Sequence, residues 1–191
     1  IWPIALALAA AVEGISSLGM GDTFVRRIPR YLVEGRRDSA GALLRTGLLL
    51  NVVAAAAATA LLAAHPEWAA EHILRDPSKA DLVNSLSLVV LFVALQKRLS
   101  WGLHATQQFG QMALINLFLH VARAPLGVLL YLSFGLNGLL LAFAIVPAIA
   151  SVATVIWLWP HLREGGGLRP IGDLLQFSAP FYGVSLLGFL Q

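Results

Sequence analysis

Residues 21–45 read GDTFVRRIPRYLVEGRRDSAGALLR and carry six of the chain's thirteen Lys and Arg residues. Long apolar runs lie on both sides of this stretch. A short basic segment between two apolar runs reads as a loop between membrane spans. Arg and Lys close to span ends are retained on the cytoplasmic side, so this loop orients everything else. Within it, Phe24, Ile28, Tyr31 and Leu32 recur at roughly helical spacing, with Arg26, Arg27, Arg30 and Glu34 between them. That pattern predicts a segment in the headgroup layer, with Arg26, Arg27, Arg30, Arg36 and Arg37 turned to anionic lipid. Pro29 has no N–H to donate, so a helix here bends at it or begins near it.

Composition agrees with a membrane setting. The 191 residues are 58% hydrophobic and only 12% charged, where a soluble domain carries about 25% charged residues. The net charge of +3 comes from the basic loops and argues for a lipid surface, not for nucleic acid. There is no cysteine, which excludes disulfides and thiol chemistry. Ile1 and Gln191 both stand inside apolar runs, which predicts a segment of a longer protein.

The apolar runs predict an all-α polytopic bundle with six spans, at 2–20, 42–64, 82–104, 112–134, 139–159 and 174–191. Between the second and third spans lies HPEWAAEHILRDPSKAD (65–81), where Glu71 and Arg75 are spaced to pair on a short surface helix. Its His65, Glu67, His72 and Asp76 invite a metal reading, but no established ligand spacing is present. A solvated loop helix accounts for them, and neither metal nor cofactor is expected. The three glycines 165–167 form a connector; a phosphate-cradling loop needs a preceding strand and usually a Lys. Arg26, Arg27, Arg30, Arg36, Arg37, Arg45, Arg163 and Arg169 fall on one side of the predicted topology, Arg75 and Lys79 on the other. The first side is expected to be cytoplasmic, in a multi-pass protein of the cytoplasmic membrane.

Ionisable groups inside spans carry the functional signal. Glu13, Lys97, Arg98 and Arg123 each cost about 2.5–3.5 kcal/mol in lipid on insertion scales. Lys97, Ser100, His104, Gln107 and Gln111 share one helical face; Asn116, His120, Arg123, Gly127 and Tyr131 share another. Two such stripes facing each other would line a hydrated cationic cavity. Arg123 lies mid-span, beyond the reach of snorkelling, whereas Arg98 is close enough to an interface to snorkel. His104 and His120 are either packing residues or ligand contacts. Glu13 is either a fixed partner of Arg123 or Lys97 or a protonatable coupling group.

The chain also resembles the polysaccharide biosynthesis and oligosaccharide flippase family, within the superfamily that includes multidrug exporters. The resembling residues are the glycine-rich exit from the first span with Arg and Tyr following (Gly19, Gly21, Arg26, Tyr31 and Gly35); Gly-Leu-x-Ala-x-Gln-x-Phe over 102–109; Gly-Leu-x-Gly over 135–138; and Phe-Ser-Ala-Pro over 177–180. Gln108 departs from the pattern, in which a basic residue often precedes the Phe. The resemblance implies a fragment of a two-lobe transporter: first-lobe bundle 1–160, cytoplasmic linker 161–172 and the start of a second lobe at 173–191. It also implies alternating-access flipping of a lipid-linked, diphosphate-bearing oligosaccharide for surface polysaccharide synthesis. The expected cavity residues are then Arg123, Lys97, His120, His104, Asn116 and Tyr131, with Glu13 in coupling. The partners implied are membrane lipid, the lipid-linked substrate and a polysaccharide polymerase or glycosyltransferases. A multidrug exporter would favour an acidic cavity, and an enzyme would need an acidic pair or a catalytic His; a membrane scaffold would not need a mid-span Arg.

Overall fold

The computed structural model describes residues 20–72, 74–164 and 167–168. All regular structure among them is helical: α1 (Met20–Val33), α2 (Arg37–Ala64), α3 (Pro66–His72), a 3-10 turn (Pro77–Lys79), α4 (Ala80–Ala105) and α5 (Phe109–Arg163). Three of these, α2, α4 and α5, are long and apolar enough to cross a membrane. Their length and apolarity suit a membrane protein.

At 55 residues α5 is far too long for a single crossing. A straight helix of that length would run about 80 Å, against a hydrocarbon core of about 30 Å. Gly135 breaks it, with φ 59° and ψ −142°, a combination that side-chain-bearing residues avoid. The chain reverses there. Ile115 and Leu119 share one buried cluster with Val146 and Ala150, which a straight helix would hold about 45 Å apart. A Cβ placed on Gly138 would strike the Leu130 carbonyl oxygen, and one on Gly127 would lie 3.3 Å from Leu139. α5 is therefore an antiparallel hairpin, with a first arm (109–134) and a second arm (136–163). α2, α4 and the two arms cover the expected spans 42–64, 82–104, 112–134 and 139–159. The expected spans at 2–20 and 174–191 lie outside the described residues, apart from Met20.

Two departures from the sequence reading have simple causes. α1 does not lay its apolar face in lipid. Phe24, Ile28 and Tyr31, at i, i+4 and i+7, are buried against Leu43, Leu44 and Leu48 of α2, Leu99 and Leu103 of α4, and Leu158 of the second arm. Burial against the bundle satisfies the stripe as well as lipid does, and it leaves Arg26 and Arg30 on the exposed side. Nor does Pro160 end the last helix, which continues to Arg163 and so takes the first three residues assigned to the linker.

The bundle has two chemically distinct ends. At one, α1 meets the start of α2 and the ends of α4 and α5. A Cβ on Gly41 would meet the carbonyl oxygens of His161 and Glu164, and one on Gly102 would lie 2.8 Å from Leu158. Small residues let helix backbones approach closely where apolar solvent gives no other drive to associate. Arg37 pairs with Glu164 at 3.5 Å, and Arg45 donates through Nη2 to the Gly167 carbonyl at 3.1 Å. At the other end, Ala69, Ala70 and Leu74 pack on Val83 and Leu86. Asp76 there caps the 3-10 turn through the Ser78 amide, and the Ser85 hydroxyl reaches Asn137 beside the hairpin tip, at 3.1 Å.

Candidate functional site

The hairpin creates a groove of about 590 Å³ on the face where Arg123 stands. The first arm supplies His120, Arg123, Gly127 and Tyr131; the second supplies Leu139 and Phe143. The spacing 120, 123, 127, 131 puts the first four on one helical face. Arg123 lies twelve residues from Gly135, about 18 Å along the helix from the tip, which is midway along the first arm. Its guanidinium carbon sits 5.6 Å from the centroid of the Phe143 ring. A cation over an aromatic face gains about 0.5–2 kcal/mol, more when desolvated, which offsets part of its cost in the membrane. Arg123 Nε is buried and has no hydrogen-bond partner among the described residues. His120 Nδ1 lies 2.7 Å from the Asn116 carbonyl oxygen. A carbonyl only accepts, so Nδ1 carries the hydrogen and Nε2 remains the acceptor in the neutral ring. Tyr131 is half-exposed on the same face.

The remaining predicted residues lie elsewhere. Asn116 is exposed one turn beyond His120 and meets the groove only through that carbonyl. Lys97 is exposed on α4 and does not line the groove. His104 lies near the end of α4, edge-on to Trp101 at 6.2 Å and to Phe109 at 5.6 Å. The two polar stripes do not face each other, because the second arm stands between them: Leu140 and Ala144 pack on Val89 of α4, while Val146 and Ala150 pack on the first arm. Arg98 is buried at 4% exposure, where snorkelling would have left it open. Glu13 lies outside the described residues. Arg26, Arg27, Arg30, Arg36 and Arg37 gather at the end shared by α1 and α2; Arg36 stacks over Tyr31 at 4.9 Å, and Arg30 and Arg36 share Glu34.

Among the described residues no group of three His, Asp or Glu could hold a metal. His72 instead stacks on Trp68, with ring centroids 5.2 Å apart, and Asp76 is taken by Ser78.

Three polar contacts inside the helices are absent from the sequence reading. Ser151 donates to Gln96 Oε1 at 3.1 Å, joining α4 to the second arm in the buried core. Gln96 also reaches Ser100 through Nε2 at 3.3 Å. Asn51, buried on α2, donates to the Gly47 carbonyl at 2.7 Å. Polar residues inside otherwise apolar spans were the only sequence signal for these three, and it names no partner.

Compared with known proteins, the chain matches no family model, no curated protein and no solved structure.

Proposed function

We propose that this chain forms part of a membrane transporter that passes a lipid-linked, diphosphate-bearing oligosaccharide across the cytoplasmic membrane by alternating access. The observation that carries the reading is Arg123: a mid-span guanidinium in a groove, with a buried Nε that no described residue satisfies. Guanidinium donors are arranged to take two phosphate oxygens at once. A diphosphate crossing the membrane needs such a counter-charge where water is scarce. His120 and Tyr131 add hydrogen-bonding groups on the same wall, suited to sugar hydroxyls. The arginine-rich end faces the cytoplasm in this reading, because short basic segments are retained there.

The test is transport of a fluorescent polyprenyl-diphosphate oligosaccharide by the full-length protein in sealed vesicles. Arg123→Ala lowers the rate by roughly ten- to a hundredfold, the loss of one charge-assisted contact, at unchanged yield of inserted protein. Arg123→Lys is intermediate, since it keeps the charge and loses the planar fork. Wild-type transport by Arg123→Ala would end the proposal. Reduced yield with unchanged transport per molecule would instead make Arg123 a clasp between the two arms through Phe143.

A further inference from the structure

A second groove, of about 660 Å³, runs along the other side of the second arm. Its walls come from α2, α4 and that arm, and all but two of the lining residues are apolar. The two exceptions are Ser151, whose hydroxyl is engaged by Gln96, and Arg45, which donates to the Gly167 carbonyl. The lining residues are ordered by depth. Arg45, Leu99 and Leu162 stand at the arginine-rich end; Val52, Phe92 and Ala148 stand deepest. That order follows from the helix directions, since α2 starts at this end while α4 and α5 finish there.

The dimensions match one lipid chain in one leaflet. From Arg45 to Val52 the groove follows α2 for about 10 Å, and from Leu162 to Ala148 it follows the second arm for about 21 Å. Half of the hydrocarbon core is about 15 Å. Leu49, Val152 and Ile156 on its walls are at least half exposed, so the groove is open along its side. Charge selects the occupant. Among the residues whose side chains are described, Arg26, Arg27, Arg30, Arg36, Arg37, Arg45 and Arg163 gather at this end, and the acids there are Glu34, Asp38 and Glu164. Glu34 and Glu164 are already engaged by arginines.

We infer that this groove holds one acyl chain of an anionic glycerophospholipid, with its phosphate against Arg45 at the arginine-rich end. An alkyl chain gains little by leaving other lipid for an apolar wall, so the headgroup decides what is retained. The site is separate from the Arg123 groove. Phe143 and Val152 line different grooves and are nine residues apart on one helix, two and a half turns, which puts them on opposite faces. On the transport reading above, the bound lipid is a resident of the bundle and not the transported molecule.

The experiment places the full-length protein in nanodiscs of equal phosphatidylglycerol and phosphatidylcholine and counts retained lipids by native mass spectrometry. Wild-type protein keeps one lipid per chain, with phosphatidylglycerol preferred on the order of fivefold for the one arginine at the mouth. Arg45→Gln keeps the occupancy and brings the ratio near one. Val152→Trp fills the groove and loses the lipid; circular dichroism and elution volume show that it folds, and Leu49→Trp replaces it if it does not. Arg123→Ala leaves lipid retention as in wild type, so this inference and the transport reading fail separately. An unchanged ratio in Arg45→Gln, unchanged occupancy in both tryptophan variants, or a retained polyprenyl diphosphate in place of a glycerophospholipid would each overturn it.

Discussion

At the scale of single residues, charge placement was partly legible. Arg123 stood out because no interface lies within reach of mid-span, a matter of length alone. Lys97 and Arg98 were assigned the wrong way round: Lys97 was expected on a cavity face and Arg98 at an interface, but Lys97 is exposed and Arg98 is buried. They are neighbours near the end of one span, and which of them is buried depends on what packs beside α4, which periodicity does not contain. Outside the membrane, Arg30 and Glu34 follow the i, i+4 rule, with Arg30 Nε donating to Glu34 Oε1 at 2.7 Å. That hydrogen bond, with Arg36 adding in the same sense, holds the Glu34 carboxyl below the ordinary glutamate range. The sign follows from linkage: a carboxylate that ionises more readily in the folded chain stabilises it above the unfolded pKa of about 4.3. The contribution is lost as pH falls through the lower folded value. A carbon-13 titration of the Glu34 carboxyl is expected to give a midpoint below that of free glutamate, and Arg30→Gln to move it back up. A midpoint indifferent to Arg30→Gln would show that the pair does not form.

At the scale of elements, the glycines of α2 decide how α1 sits. The Phe24 ring lies so close over Gly47 that an added Cβ would overlap it, and Phe24 is 1% exposed, so the ring has nowhere to go. Gly47→Leu is expected to destabilise the bundle by about 1–3 kcal/mol, as overpacking of a filled interior does. Phe24→Ala in the same chain should recover part of that loss. Thermal unfolding in detergent checks both, and a single mutant as stable as wild type would show that α1 is not docked at this point. The amphipathic stripe of α1 was readable, but its partner was not: lipid and a neighbouring helix satisfy an apolar face equally well. The meeting of Gly41 with His161 and Glu164 was likewise hidden, because it joins residues more than a hundred positions apart.

At the scale of the whole molecule, the arrangement of ends is the testable statement. These 191 residues hold no cysteine, so single reporters can be placed among them. Cysteines at Ser78 and Ser133 are expected to react with a membrane-impermeant reagent from the same side, and one at Ser39 from the other. Ser39 and Ser133 reacting together would contradict the reversal at Gly135. The helices over four of the six expected spans were legible from length and apolarity, and so was the interruption near 135–138. The turning of the second arm between α4 and the first arm was not, since a string of spans carries no record of which neighbours touch. The reversal also bears on biogenesis. The segment 133–138, Ser-Phe-Gly-Leu-Asn-Gly, holds no charge, so carrying it across the bilayer incurs none of the roughly 2.5–3.5 kcal/mol that each ionised residue adds. The two arms are thus expected to be delivered by the insertion machinery as one preformed pair, tip first. Replacing Leu136 and Asn137 with lysines should strand the tip on the side of synthesis, seen as loss of a glycosylation tag placed there. Full modification of the lysine variant would show that the arms enter one after the other.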